Sequence, residues 1–197
     1  LYHWSDAIVD SDFIDTDVFV GLKYCGLSCE SAFLITQYYL YLYYNDKAII
    51  EELYNTNLEW MKKAARIHPE GLVDEGLGDH ESLEPVPVEL TGTSHYLQCA
   101  RIMKVFAAHM GDQGNEQKFD ELANMLRKIL LEKFWLTKYD KPINKQTLFA
   151  TLIYYDIIPE EDHSDAVDSL LSSLSATPSG HFTTGIFGTK FILEALS

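Results

Sequence analysis

Ionisable side chains are concentrated in residues 71–94, a stretch that lies between segments of helical periodicity. Glycines at positions 71, 76 and 78, followed by Pro85 and Pro87, make a continuous helix through it unfavourable. A long polar loop between regular helices is often a functional site, although its carboxylates could also be merely solvated. The side chains able to do chemistry here are Asp74, Glu75, Asp79, His80, Glu81, Ser82 and Glu84.

Asp79, followed by His80 and Glu81, is the first candidate for contact with a substrate. Two carboxylates beside an imidazole can shift each other's pKa values, so that Asp79 or Glu81 could also serve as an acid–base group. Glu30 precedes the first strongly apolar segment and is a further candidate. It could equally be a carboxylate at a helix N-terminus, where the helix dipole favours negative charge.

The composition predicts a chain with a sizeable core and an acidic surface. Apolar residues make up 47% of the 197 residues, enough to bury a core in one large domain. The formal charge of −15 repels phosphate backbones, so we expect no nucleic-acid partner. Because no run of about 18 apolar residues occurs, we expect no membrane-spanning segment.

The cysteines and the early aspartates do not predict a metal site. Cys25 and Cys29 lack a second Cys/His pair at ligand spacing, and the odd count of three cysteines rules out a complete disulfide framework. Cys99 fits an apolar helix face as a core residue. The aspartates between Asp10 and Asp17 lack the central glycine and closing glutamate of a calcium loop. We therefore expect neither a metal nor a cofactor.

Helical periodicity accounts for most of the remaining sequence and predicts an all-α fold of antiparallel hairpins. We divide the chain into an irregular leading segment, residues 1–29, and a helical domain, residues 30–197. Thr91 or Thr93 is expected to cap the third helix. The tyrosines of the first helix are expected to be core residues with hydroxyls at the rim rather than a sugar-stacking surface. The predicted helices cover about residues 30–44, 47–67, 91–110, 116–134 and 145–155, with a sixth opened by Pro159 and a last one after Gly188.

The segment before the last helix reads His181-Phe-Thr-Thr-Gly185-Ile-Phe-Gly188-Thr189. Its two glycines allow another part of the backbone to approach the start of the helix closely. The alternative is ordinary capping by the threonines together with close helix packing.

Four stretches together resemble the catalytic domain of glycoside hydrolase family 78, the α-L-rhamnosidases. Residues 31–54 resemble the hairpin with the family pattern Leu-Tyr-x-Tyr-x-Gly-Asp, and Gly76-Leu-Gly-Asp79 with residues 87–96 resembles its Gly-x-Gly-Asp loop and following helix. Ile158-Pro-Glu160 resembles a Gly-x-Val-Pro-Glu turn. Residues 181–189 are close to His-Leu-Thr-Thr-Gly-x-x-Gly-Thr, the most specific of the four. The resemblance covers about residues 30–197.

The resemblance implies part of an (α/α)6 barrel that hydrolyses terminal α-L-rhamnosides with inversion. Inversion needs two separated carboxyl groups, one to protonate the leaving oxygen and one to activate water. The family's acid motif, Asp-x-Pro-x-Arg-Glu, does not occur in residues 1–29, and its Trp-Glu segment would follow Ser197, so neither catalytic residue is assigned. The residues expected to bind carbohydrate are Asp79, His80, Glu81, Glu30, His181, Thr183 and Thr184.

The expected partners are a carbohydrate substrate and the remainder of a longer polypeptide. His80 stands where the family often has Trp, which leaves the identity of the sugar open. The family implies a periplasmic or secreted protein, although no targeting segment is visible. A non-catalytic carbohydrate-binding domain or pseudo-enzyme is the alternative interpretation. A helical-repeat scaffold is disfavoured because the hairpins show no fixed period.

Overall fold

Seven α-helices of ten or more residues form the part of the chain that a computed structural model describes, residues 1–2, 4–5, 26–137 and 139–197. Short helical segments connect them at Leu27–Glu30, Glu132–Leu136, Glu160–Asp162 and Pro178–Gly180. The all-α prediction is confirmed. The helices are α1 Ala32–Tyr44, α2 Ala48–Ile67, α3 Val88–Met110, α4 Gln113–Leu131, α5 Lys145–Tyr154, α6 His163–Ser175 and α7 Ile186–Ala195.

The helices are arranged as antiparallel hairpins in two layers. Helices α2, α4 and α6 each have one apolar and one charged face, whereas α1, α3, α5 and α7 lack this segregation. Helix α3 packs against α1 and α5, and α5 packs against α7. Helices α1, α3, α5 and α7 thus form one row. The amphipathic helices α2, α4 and α6 cover this row from outside, since α3 also contacts α4 and α5 contacts α6. All four helices of the row therefore begin at one end of the domain, here called the site end.

Helix α3 is the centre of the core, because helices pack on several of its sides. Most of its apolar residues from Leu90 to Ala107 are almost fully buried, and Cys99 lies among them as predicted. A reciprocal amide pair joins α1 to α2 inside the core. The Gln37 amide donates to Asn57 Oδ1 at 3.1 Å, and the Asn57 amide donates to Gln37 Oε1 at 2.8 Å. Both buried polar side chains are thereby satisfied.

Two helix starts differ from the sequence prediction. Helix α3 begins at Val88 after an extended Pro87, so the capping role predicted for Thr91 or Thr93 is wrong. The Thr93 hydroxyl instead accepts a hydrogen bond from the Val73 amide at 3.0 Å and ties the long loop to α3. Helix α4 begins three residues early because the Asp112 carboxylate accepts from the Asn115 amide as an N-cap.

The tyrosines of α1 are only partly buried, which corrects the prediction of a core role. Tyr43 and Tyr44 are 76% and 79% exposed, while Tyr38, Tyr39 and Tyr41 are half-buried. The packing explains the difference, because α2 and α3 cover one side of α1. The last apolar positions of α1 consequently lie outside the core.

Several sequence interpretations concern residues outside the described ranges. They include the aspartates from Asp10 to Asp17, Cys25, and most of the leading segment. Among the described helices, none is long and apolar enough to cross a membrane. Within the same ranges, no three His, Cys, Asp or Glu side chains are placed to share a metal ion.

Candidate functional site

Three sequence-distant segments meet at the site end. The loop before α3, the first turn of α5 and the segment before α7 are joined by backbone hydrogen bonds. The Asn144 amide donates to Pro85 O at 2.8 Å, and the Leu83 amide donates to Thr183 O at 2.9 Å. The other side of the loop is held by an antiparallel bridge between Gly26 and Gly76. The long loop is therefore an ordered part of the fold.

The carboxylate of Asp79 is the centre of this junction. Its Oδ2 accepts hydrogen bonds from the Thr147 hydroxyl at 2.8 Å, the Gly185 amide at 2.8 Å and the Gly188 amide at 3.2 Å. Its Oδ1 accepts from the Phe187 amide at 2.8 Å. Three of these donors belong to the N-terminal turn of α7, where unpaired N–H groups and the helix dipole favour an anion. We call Asp79 and these four partners the Asp79 cluster.

The two glycines before and within α7 provide the space that this contact needs. A Cβ atom at Gly185 would lie 2.0 Å from the His80 carbonyl oxygen, and one at Gly188 would lie 2.6 Å from Asp79 Oδ2. Gly185 has φ −87°, an angle open to every residue, so its requirement is steric rather than conformational. The predicted close approach of another backbone segment is thus what the structure shows.

Asn144 connects the same three segments from the side of α5. Its Oδ1 accepts from the Thr147 amide at 3.0 Å and caps α5. Its amide group donates to Thr183 O at 2.9 Å and to Ser82 Oγ at 3.2 Å. Gln146 adds a bond from the Thr183 amide to its Oε1 at 2.9 Å. Polar side chains in the first turn of an otherwise apolar helix are the sequence signal that could identify these residues.

His80 and Glu81 project from the loop into solvent. Their side chains are 51% and 79% exposed, and His80 Nε2 lies 3.5 Å from Glu81 Oε1. The backbone beneath them is held, because the Ile186 amide donates to His80 O at 2.9 Å. Glu81 has φ 64°, a left-handed conformation that is uncommon for a residue other than glycine and costs about 1–2 kcal/mol. Such strain in an exposed polar residue favours a functional role.

Burial separates Asp79 from its two neighbours. Asp79 is 6% exposed, and four protein donors occupy its oxygens, which have about four lone-pair positions. The three predicted candidates are consecutive in the chain, but only the side chains of His80 and Glu81 are exposed to solvent. A substrate contact by any of the three stays a prediction.

The other predicted site residues have different surroundings. Glu30 is half-buried, and its Oε2 accepts from the Trp60 indole N–H at 3.0 Å. The Thr183 hydroxyl accepts from the Asn144 amide at 3.0 Å, and the Thr184 and Thr189 hydroxyls are 2.8 Å apart. The side chain of His181 is exposed at the same junction. Their roles in binding carbohydrate also stay predictions.

An aromatic cluster packs α7 against α3. His95 is buried on α3, its ring centre 4.7 Å from that of Phe187 and 6.1 Å from that of Phe191. Its Nδ1 lies 2.7 Å from the Thr91 carbonyl oxygen. Burial lowers the pKa of His95 to about 4, so the ring is neutral near pH 7.

A cleft of about 310 Å³ lies between α1, α3 and α5, away from the predicted site residues. Its polar lining is mutually hydrogen-bonded, because Arg101 donates to Tyr155 O at 2.6 Å and the Tyr155 hydroxyl donates to Gln98 Oε1 at 3.1 Å. These bonds connect α3 to the C-terminal end of α5. We interpret the cleft lining as structural.

A family model provides the identification of this helical arrangement. The model of the bacterial α-L-rhamnosidase six-hairpin glycosidase domain matches residues 28–197. The chain belongs to this family. The arrangement described above is accordingly part of an (α/α)6 barrel in a glycoside hydrolase domain of the α-L-rhamnosidase family, as the sequence resemblance predicted.

Known α-L-rhamnosidases share sequence and fold with this six-hairpin domain. An α-L-rhamnosidase from Formosa agariphila is 25% identical in an alignment 191 residues long, which covers 89% of this chain and 20% of that protein. The α-L-rhamnosidase structure from Dictyoglumus thermophilum has a TM-score of 0.82 at 23% identity, covering 99% of this chain and 24% of that one. The Streptomyces avermitilis α-L-rhamnosidase, solved in complex with L-rhamnose, has a TM-score of 0.80 at 19% identity, covering 98% and 19%. At these identities the two structures establish the fold.

The chain spans about a fifth to a quarter of the length of these relatives. It therefore aligns with one portion of each of these relatives.

Proposed function

We propose that this chain is part of an inverting glycoside hydrolase that removes terminal α-L-rhamnose, or a related sugar, from a polysaccharide or glycoside. The family membership supports the reaction class. The observation that carries the role of this portion is the exposed pair of His80 and Glu81 on an ordered loop at the site end. An imidazole and a carboxylate offer both hydrogen-bond donors and acceptors to sugar hydroxyls.

In this proposal the chain supplies sugar-contacting groups rather than the catalytic pair. Inverting hydrolysis needs a general acid and a general base about 6.5–9.5 Å apart, with space for a water molecule between them. His80 Nε2 and Glu81 Oε1 are 3.5 Å apart, which suits two groups that contact neighbouring hydroxyls of one sugar. We therefore assign the acid and the base to the rest of the polypeptide.

The test is hydrolysis of 4-nitrophenyl α-L-rhamnopyranoside by the complete polypeptide and its His80→Ala and Glu81→Gln variants. Loss of a hydrogen bond between the sugar and either side chain costs about 0.5–3 kcal/mol, so kcat/KM should fall about 2- to 100-fold. Glu84→Gln is the matched control, because Glu84 is another exposed carboxylate of the same loop. Its kcat/KM should stay near that of the unmodified protein.

Proton NMR of the first product decides the stereochemistry. Inversion releases β-L-rhamnose first, whereas initial α-L-rhamnose would exclude the proposed mechanism. A folded, complete polypeptide that binds L-rhamnose in calorimetry but never hydrolyses the rhamnoside would support the carbohydrate-binding alternative instead.

A further inference from the structure

Asp79 and the His80–Glu81 pair are consecutive in sequence but differ in environment. The Asp79 carboxylate is buried under four protein donors, whereas the side chains of His80 and Glu81 are open to solvent. A carboxylate with this many partners has little capacity left for a sugar hydroxyl. Any effect of Asp79 on a substrate must then pass through the backbone that it holds.

We propose that Asp79 is a positioning residue, whose carboxylate fixes segment 79–83 against the first turn of α7 and so sets the direction in which His80 and Glu81 meet the sugar. Because the inference rests on the proposed function, one of its tests must be independent of rhamnoside hydrolysis. The connection is short, since one residue or none separates Asp79 from each member of the pair.

Backbone bonds on both sides of Glu81 carry the constraint. On the N-terminal side, the Ile186 amide donates to His80 O at 2.9 Å, next to the amides that bind the Asp79 carboxylate. On the C-terminal side, the Ser82 amide donates to Asp79 O at 3.0 Å and the Leu83 amide donates to Thr183 O at 2.9 Å. Glu81 is thereby held at its unfavourable φ of 64°.

The chemistry of the cluster explains why an aspartate performs this role. Its two oxygens reach different donors, since Oδ1 accepts from Phe187 while Oδ2 accepts from Gly185, Gly188 and Thr147. An asparagine retains one acceptor oxygen and would turn its NH2 group toward a backbone N–H. Asp79→Asn should therefore retain part of the constraint, and Asp79→Ala should remove it.

Hydrogen–deuterium exchange of the complete polypeptide tests the constraint without any substrate. In Asp79→Ala, the amides of Ser82, Leu83 and Ile186 should exchange at least about 10-fold faster, with a smaller increase in Asp79→Asn. Asp74→Asn changes an exposed carboxylate of the same loop and should leave these rates unaltered. Unchanged exchange at Ser82 and Leu83 in both Asp79 variants would overturn the proposal, whether or not the protein hydrolyses rhamnosides.

Steady-state kinetics with 4-nitrophenyl α-L-rhamnopyranoside then separate positioning from direct contact and from simple stabilisation. In Asp79→Ala, KM should rise on the order of 10-fold with a smaller change in kcat, and Asp79→Asn should recover part of this loss. In a His80→Ala/Glu81→Gln background, the Asp79 change should have no further effect on KM, because it acts through the residues already removed.

Each other kinetic result contradicts the inference in its own way. Additive effects on KM would show that Asp79 contacts the sugar directly. Faster exchange with an unchanged KM would reduce Asp79 to a stabilising residue. If the unmodified polypeptide lacks rhamnosidase activity, the proposed function fails, and the exchange rates alone decide whether Asp79 holds the loop.

Discussion

A single methyl group at Gly185 should disrupt the site end. The Cβ atom of Gly185→Ala would lie 2.0 Å from the His80 carbonyl oxygen and 2.6 Å from Asp79 Oδ1. Carbon–oxygen contacts normally require about 3.3 Å, so the loop must withdraw by about 1 Å. That movement breaks two hydrogen bonds of the native site, from the Gly185 amide to Asp79 at 2.8 Å and from the Ile186 amide to His80 at 2.9 Å.

The expected cost follows from these contacts. Overpacking a close contact typically costs about 1–3 kcal/mol. Loss of one charge-assisted and one ordinary hydrogen bond adds about 2–4 kcal/mol, some of which water recovers. We therefore expect a local destabilisation of about 3–5 kcal/mol, equivalent to at least about 100-fold faster amide exchange at the site end.

The assay is hydrogen–deuterium exchange with mass spectrometry on peptides that cover residues 77–88 and 183–191, together with urea unfolding. Gly114→Ala is the matched control, because Gly114 is exposed on α4 and its nearest described neighbour is 3.7 Å away. That change should stabilise the protein by up to about 1 kcal/mol through helix propensity. Site-end exchange in Gly185→Ala no faster than in Gly114→Ala would refute the steric argument.

Three further predictions concern strain, buried polarity and pH. Glu81→Gly should unfold in urea with a free energy about 1 kcal/mol higher than Glu81→Ala, because the φ of 64° favours glycine; equal values would exclude backbone strain. Asn57→Leu should lower the unfolding free energy by about 1–3 kcal/mol, since the buried Gln37 Oε1 loses its donor while Nε2 keeps only the Phe33 carbonyl, and no loss would show that water replaces Asn57. The depressed pKa of His95, about 4 when folded against 6.5 when unfolded, means that the unfolded state binds more protons below pH 6.5. Stability should therefore be complete above that pH and fall by up to about 3 kcal/mol as the pH approaches 4. Urea titrations should show a shallower fall in His95→Gln and an unchanged one in His181→Gln, whose histidine is exposed.

The helices and their order could be predicted from local patterns, because periodicity and breakers act within a few residues. Local signals failed to predict the role of a residue whose side chain binds a second element of the structure. Asp112 lies in the break that ends α3, and its side chain also caps α4. Thr93 has the chemistry of a cap but uses its hydroxyl on the loop at Val73.

The site could be predicted only in part. Its residue types are visible within one stretch of sequence, whereas its contacts join residues that are far apart in the chain. The loop, the candidates His80 and Glu81 on it, and the close approach at Gly185 and Gly188 all follow from residue type and spacing. No local pattern indicates that the Asp79 carboxylate meets amides more than 100 residues away. A buried aspartate bound to protein and an exposed one bound to a sugar look the same in sequence.

The long sequence separation between Asp79 and its amide donors affects the order in which the site forms during protein synthesis. Proteins emerge from the ribosome N-terminus first, at about 5–20 residues per second, so Asp79 precedes Gly185 by about 5–20 s. Throughout that interval its carboxylate is satisfied by water, because the first turn of α7 does not yet exist. The two hairpins formed by α3, α4, α5 and α6 are made in between. Closure of the Asp79 cluster therefore waits until the first turn of α7 has been made, and nascent chains that stop before Gly188 should carry the loop in an unconstrained form.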